Sequence, residues 1–81
     1  MNAAQAANLA RKCGWEVYSY DHGLWTMSFH KPDEAAIWIR FSPTGILTKM
    51  EATDFLTGRH VNPQRDKGTR LSHYLTEGIT D

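Results

Sequence analysis

The side chains in this sequence that are best able to do chemistry are four histidines: His22, His30, His60 and His73. An imidazole ring ligates metals and exchanges protons near neutral pH. No two of these histidines lie three or four residues apart on one predicted element, and the sequence contains no CxxC or HExxH motif. We therefore expect no metal site. His22 and His30 are interpreted as exposed loop residues, and His73 as a solvated helix residue.

Other reactive side chains also lack a partner at a useful spacing. Cys13 has no histidine at a spacing typical of a nucleophile and its base, so we expect a buried, small apolar residue. Asp33 and Glu34 are neighbours in a predicted loop, without the burial that a catalytic pair of carboxyl groups needs. A phosphate-binding GxxxxGK motif is absent from the sequence. The sequence therefore predicts no enzyme and no cofactor.

A basic loop is predicted at residues 58–68, between two glycines and around an Asn-Pro pair. Its cations, together with the one that follows it, are Arg59, Arg65, Lys67 and Arg70, and they face a single acid, Asp66. Basic side chains beside the N-terminus of a helix form a reasonable site for an anion or for nucleic acid. The alternative interpretation is a solvated surface loop.

The elements that must position these residues begin with a meander of three antiparallel strands at residues 15–20, 24–30 and 36–41. The turn at Asp21-His22-Gly23 is predicted to place Tyr20 opposite Leu24. Counting by twos from that pair sorts the side chains onto two faces. The inner face collects Trp15, Val17, Trp25, Met27, Phe29, Ile37, Ile39 and Phe41.

The opposite face of this meander carries residues that are typical of contact surfaces. It presents Tyr18, Tyr20, Leu24, Trp38 and Arg40, and Leu47 is a further candidate. A solvated sheet face normally carries Thr, Lys, Glu and Ser, whereas aromatic residues and Arg are enriched where proteins bind partners. Either the last helix covers this patch, or the patch is a binding surface.

Helices are predicted on both sides of the meander. The alanine-rich residues 3–13 form the first, which ends at Gly14 and packs on the inner face through Ala3, Ala6, Leu9 or Ala10, and Cys13. Residues 46–48 form a short fourth strand. The Thr48-x-x-Glu51 pattern of a capping box and the stop at Gly58 predict a helix at 49–57, with a longer fourth strand through Met50 as the alternative. Thr69 caps a last helix at 70–77.

The predicted class is therefore α+β: an N-terminal helix packed on a three- to four-stranded antiparallel meander, followed by two short helices. The 81 residues are enough for one domain, 1–81. Nine basic and nine acidic side chains balance, so no overall field attracts nucleic acid or a membrane. A single cysteine excludes an internal disulfide, and no apolar run is long enough for a membrane span. We expect a protein of the bacterial host cytoplasm.

Residues 5–32 resemble the opening of HicA-type toxins, which have the topology of double-stranded-RNA-binding domains. The resemblance lies in a helix ending in Cys13-Gly14-Trp15-Glu16, a hairpin, and then Phe29-His30-Lys31-Pro32. Those toxins are ribonucleases whose histidine belongs to a Gly-Ser-His stretch. Here that stretch reads Asp21-His22-Gly23-Leu24-Trp25, so the catalytic element is missing. The resemblance implies the fold, and it implies a ribonuclease only if His22 serves as general base.

In size and in its aromatic sheet face, the chain also resembles the small inhibitors of phages and mobile elements, anti-CRISPR proteins among them. That resemblance implies a non-enzymatic module that binds a protein or a host nucleoprotein complex and occludes its surface. The alternative is a nucleic-acid binder in which Tyr18, Tyr20 and Trp38 stack on bases while Arg40 and residues 59–70 hold phosphates. The sequence predicts no membrane partner, and a homodimer through the aromatic face is a third possibility.

Overall fold

The computed structural model describes residues 1–19 and 25–79. Within them the elements, in chain order, are α1 (Ala3–Lys12), β1 (Glu16–Ser19), β2 (Thr26–Lys31), β3 (Ala35–Phe41), β4 (Leu47–Asp54), β5 (His60–Val61) and α2 (Lys67–Glu77). The strands form one antiparallel sheet with the spatial order β1-β2-β3-β4-β5. The α+β class, the N-terminal helix and the antiparallel meander are confirmed, and the helix predicted at 70–77 is observed as α2. The sheet is longer than predicted and takes the place of the helix predicted at 49–57.

Both helices pack on the same face of the sheet. Side chains of β3 alternate strictly, so Ile37, Ile39 and Phe41 are buried on that face. They share a single core with the buried stripes of both helices, which are Ala6, Ala7 and Ala10 from α1 and Leu71, Tyr74 and Leu75 from α2. We call this covered side the inner face and the opposite side the outer face.

Helix α1 forms for the reasons that the sequence indicated, with a small difference in which side it buries. A capping box joins Asn2 and Gln5 at its start, and Gly14 follows its end with a φ of 87°, a conformation that favours glycine. Of the predicted inward residues Ala6 and Ala10 are buried, Leu9 and Cys13 are partly buried, and Ala3 is exposed. Cys13 is therefore half-buried rather than fully enclosed.

The helix predicted at 49–57 is wrong, because residues 47–54 form the longest strand of the sheet. Met50 and Ala52 point into the core, whereas Lys49, Glu51 and Thr53, which alternate with them, point outward. This is the two-residue period of a strand. The Thr48 hydroxyl donates to the Arg40 carbonyl at 3.1 Å instead of capping a helix. Residues 55–57 form a turn after β4, in which the Asp54 carboxylate accepts from the N–H of Leu56 at 2.9 Å.

A bulge between β3 and β4 changes the direction of Leu47. Arg40 pairs with Lys49 but Phe41 pairs with Leu47, which leaves Thr48 as the extra residue. Leu47 therefore packs against the core beside Phe41, and its predicted place on the outer face is wrong.

The predicted basic loop at 58–68 is shorter than expected at both ends. His60 and Val61 pair with Thr53 and Ala52 to form β5, and α2 begins at Lys67. The residue before α2 is Asp66, in a left-handed conformation and without a side-chain capping bond, so the predicted cap at Thr69 is wrong. Thr69 lies inside the helix.

The β1–β2 pairing preserves the predicted faces but not the predicted register. Val17 lies opposite Phe29 and Tyr18 opposite Ser28, two residues further along β2 than a Tyr20–Leu24 pair would give. A shift of two residues keeps every side chain on its face. The predicted turn Asp21-His22-Gly23 and two of the predicted contact residues, Tyr20 and Leu24, lie outside the described residues.

The indole of Trp25 is less buried than an inner-face residue should be. Its exposed fraction is 49 %, and its φ of 54° is unusual for a bulky side chain. It lines an apolar groove of about 510 Å³ together with Ala3, Ala4 and Ala7 of α1. Trp25 thus lies near α1, as predicted, but beside the N-terminal end of the helix and not beneath it.

Candidate binding face

The outer face is the candidate functional site, because neither helix covers it. The alternative in which the last helix lies over this face is excluded, since α2 packs into the core on the inner side. Strand pairing arranges the outward side chains in three rows across the sheet. The rows are Thr26, Arg40, Lys49; Tyr18, Ser28, Trp38, Glu51; and Glu16, His30, Ala36, Thr53, His60.

The middle row brings together two of the predicted contact residues. Tyr18 and Trp38 flank Ser28 on either side, because both pair with it across the sheet. Tyr18 is 46 % exposed and Trp38 is half-buried, while Ser28 is only 4 % exposed. The two aromatic side chains therefore form a raised centre that shields the polar strand between them.

His30 lies beside this centre, and the prediction that it is an exposed loop residue is wrong. It lies in β2, where its Nε2 is 3.0 Å from the Ser28 hydroxyl. Its ring meets that of Tyr18 edge to face, with the centroids 5.1 Å apart. The Tyr18 hydroxyl in turn lies 3.4 Å from the Glu16 carboxylate. These contacts hold the Tyr18 ring in place at the edge of the sheet.

His60 occupies the opposite edge, in the short strand β5. Its Nδ1 is 2.8 Å from the Thr53 hydroxyl and its Nε2 is 3.7 Å from the Glu51 carboxylate. A hydroxyl, an imidazole and a carboxylate in series are the parts of a nucleophilic triad. At 3.7 Å, however, the carboxylate is beyond hydrogen-bond reach of the ring, and the site is open to water. This cluster forms a polar rim at the edge of the outer face.

Between the two histidines lies a shallow depression of about 270 Å³. Its floor is the small side chain of Ala36, and Trp38 forms one wall. The rest of its lining is Ser28, His30, Ile37, Glu51, Thr53 and His60. A partner side chain of moderate size fits there beside the indole.

The row of Thr26, Arg40 and Lys49 gives one end of the outer face a positive charge. Arg40 and Lys49 are exposed and lie directly opposite each other. The Lys49 ammonium also lies 5.7 Å from the centroid of the Trp38 ring, within the range of a cation–π contact. Arg40 is thus on the predicted face, and Lys49 is a neighbour of Arg40 and Trp38 on that face that the sequence reasoning missed.

The four cations of the predicted anion site at the basic loop have different surroundings in the structure. Lys67 directs its ammonium at the Gln64 carbonyl, 3.0 Å away, and is used within the loop. Arg70 lines a separate depression of about 320 Å³ near Pro63 and Tyr74. Arg59 and Arg70 each take part in further interactions, and Arg65 is exposed.

The described residues contain no group of three or more His, Cys, Asp or Glu side chains arranged to hold a metal ion. His73 is exposed on α2, where its ring approaches Tyr74 at 6.0 Å between centroids. His22, the general base that a HicA-like ribonuclease would need, lies outside the described residues. Within the described part of the chain, no helix is long and apolar enough to cross a membrane.

Sequence reasoning missed the outward residues of β4 and β5 because it placed them in a helix and a loop. Lys49, Glu51 and Thr53 alternate with the apolar Met50 and Ala52, and this period was the available signal.

Comparison with protein-family models, with curated proteins and with solved structures gives no match.

Proposed function

We propose that this protein is a non-catalytic binding module that docks its outer face on a partner protein and occludes the surface it covers. This is the mode of action of small inhibitors of host nucleoprotein complexes, which the chain resembles in size and in its aromatic sheet face. The observation that supports it is the uncovered aromatic centre formed by Tyr18 and Trp38. Large aromatic side chains at the centre of a contact surface contribute most of the binding energy in protein complexes.

The arrangement of polar residues around this centre also fits a protein partner. Glu16 and Glu51 share the face with Arg40 and Lys49, so both signs of charge surround the aromatic pair. Protein interfaces have this pattern of an apolar centre and a polar rim. A polyanion such as nucleic acid would be repelled by the two carboxylates.

The size of the face limits what it can do alone. Five strands about 4.8 Å apart and about five residues long cover roughly 400 Å². A stable complex buries about 800 Å² on each partner. The partner must therefore also contact loops at the ends of the sheet, where Phe55, Leu56 and Ile46 expose large apolar side chains.

The test is affinity capture from a lysate of the source organism with matched variants. Tyr18→Ala combined with Trp38→Ala removes the aromatic centre. Phe55→Ala combined with Leu56→Ala removes a similar exposed apolar area from a turn at the end of the sheet. We expect a specific protein to be captured by the wild type and at least partly by the turn variant, but not by the face variant. Circular dichroism would verify that all the variants are folded.

Two results would contradict the proposal. If the face variant retains every captured protein, the outer face is not the interface. If light scattering shows a dimer that dissociates only in the face variant, a second copy of the chain is the occupant instead.

A nucleic-acid binder is the second candidate, and a specific observation favours it. An indole beside two cations, as Trp38 has in Lys49 and Arg40, is able to stack on a base while holding its phosphates. Binding of a single-stranded oligonucleotide that weakens steeply with salt, and is lost with Trp38→Ala, would establish this alternative.

A further inference from the structure

The outer face contains a pair of cations that are placed against each other. Arg40 on β3 and Lys49 on β4 are direct cross-strand partners, and both side chains leave the sheet on the same side. Like charges directly opposite each other destabilise a strand pair. The third member of their row, Thr26, is uncharged.

No acid of the described residues neutralises this pair. The Glu51 carboxylate lies 3.7 Å from the Nε2 of His60, on the side of Glu51 away from β3. Glu16 lies two strands away on β1 and in a different row. The pair therefore keeps its charge at the surface, next to the indole of Trp38.

We infer that Arg40 and Lys49 form a seat for carboxylates of an acidic segment of the partner protein, which packs an apolar or aromatic side chain on Trp38. A carboxylate placed between the two cations accepts charge-assisted hydrogen bonds from both and removes their repulsion. This inference rests on the proposed function, because it names the chemistry of the partner at the same face.

An acidic protein segment suits this seat better than a nucleic acid does. Two cations neutralise two charges, which a pair of neighbouring acidic side chains supplies, whereas a phosphate backbone continues across the surface. A phosphate backbone that continued from the seat along the outer face would meet the carboxylate of Glu51 in the next row and be repelled by it. Binding to the seat should be salt-sensitive, because the Debye length at 0.1 M salt is only about 10 Å.

The experiment is an NMR titration of the 15N-labelled protein, at low ionic strength, with a six-residue peptide that contains two neighbouring glutamates and one phenylalanine and is otherwise uncharged. We expect the Trp38 indole signal and the Arg40 and Lys49 amide signals to shift. Lys49→Glu should weaken the peptide at least tenfold. The matched control is Arg65→Glu, an exposed charge reversal in the loop before α2, which should change the affinity less than twofold.

A second measurement separates this role from a structural one. Lys49→Glu places opposite charges across from each other, so we expect its melting temperature to be equal to or higher than that of the wild type while binding is lost. A marked drop in melting temperature would overturn the inference, because the two cations would then not oppose each other.

Further outcomes are also decisive. Equal losses in the Lys49→Glu and Arg65→Glu variants would overturn the seat in favour of general charge attraction. Tighter binding of a six-nucleotide thymidine strand at the same salt would assign the seat to nucleic acid.

Two outcomes separate this inference from the proposed function. If the peptide does not bind, although the variant with Tyr18→Ala and Trp38→Ala loses its captured protein, the docking face stands and the acidic seat fails. If the peptide binds and no captured protein depends on the aromatic pair, the seat stands and the docking face fails.

Discussion

The indole Nε1 of Trp15 donates a buried hydrogen bond of 3.0 Å to the main-chain carbonyl of Leu75. This bond links the segment after α1 to the last turn of α2, sixty residues later in the chain. Trp15 is only 4 % exposed, and its ring also lies beneath the Lys31 ammonium at 5.0 Å. The two helices are thus joined by a polar contact within an otherwise apolar core.

Replacing Trp15 with phenylalanine should destabilise the fold. Phenylalanine cannot donate the bond to Leu75 and leaves part of the indole volume empty. We expect the free energy of unfolding to fall by roughly 2 kcal/mol. Urea denaturation followed by circular dichroism measures it. Trp25→Phe is the control, because that indole is half-exposed, and we expect a change within about 0.5 kcal/mol. Equal effects of the two substitutions would contradict the role of the Trp15 bond.

Removing the hydroxyl of Tyr74 should not destabilise the protein. This oxygen is buried and has no hydrogen-bond partner among the described residues. A buried, unbonded hydroxyl costs about 1–3 kcal/mol of desolvation. Tyr74→Phe should therefore leave the free energy of unfolding unchanged or raise it by up to about 1 kcal/mol. The melting temperature should stay the same or rise accordingly. Tyr18→Phe, at an exposed position, should have no measurable effect. A clear loss of stability in Tyr74→Phe would show that the hydroxyl has a partner in solution.

The carboxylate of Asp54 should be important for the turn between β4 and β5. It accepts hydrogen bonds from the N–H groups of Leu56 at 2.9 Å and Thr57 at 3.4 Å. We expect Asp54→Ala to lower the free energy of unfolding by about 1 kcal/mol. Asp54→Asn keeps an acceptor oxygen at the same place and should recover most of that loss. If the two variants are equally destabilised, the charge and not the hydrogen bonding stabilises the turn.

Two glycines should respond to alanine in opposite directions. Gly14 has a φ of 87°, so a Cβ there strains the backbone although the space around it is open. Gly14→Ala should cost about 1–2 kcal/mol. Gly68 lies within α2, also in open space, and Gly68→Ala should stabilise the protein by about 0.5–1 kcal/mol. Thermal melts of both variants test the sign, and a gain for Gly14→Ala would show that its conformation is not required.

The sequence was sufficient to predict α1 and the faces of the first three strands. Alanine content and Gly14 define the helix, and alternation of Ile37 and Ile39 with Trp38 defines the third strand. Periodicity is a local property, so it can be read without knowing the rest of the fold. Register was less accessible, because it depends on a turn that side-chain alternation does not specify.

The second half of the chain was predicted less well, because two local signals disagreed. Thr48 and Glu51 match a helix cap, whereas Met50 and Ala52 alternate as in a strand. The strand forms because β3 offers an edge to pair with and the core accepts both apolar side chains. Tertiary context of this kind is not visible in a window of ten residues.

The candidate site was predicted in part for the same reason. Tyr18, Trp38 and Arg40 lie on the uncovered face as expected from their strands. Lys49 and His60 join them only because the sheet extends through β4 and β5. The unmatched pair of cations at Arg40 and Lys49 is a property of that pairing and has no counterpart in the linear sequence.

The shared covering of the inner face by the first and the last helix has a consequence for how the molecule is made. Hairpins between neighbouring strands form from residues that are close in sequence. Ile37 and Ile39, however, remain exposed to solvent until both α1 and α2 pack on the sheet. A chain that is released or cleaved before Leu71 lacks the core residues of α2 and would expose the apolar inner face of its sheet to solvent. Chaperone capture or aggregation is then the expected fate, and adding α2 back as a separate peptide should rescue solubility.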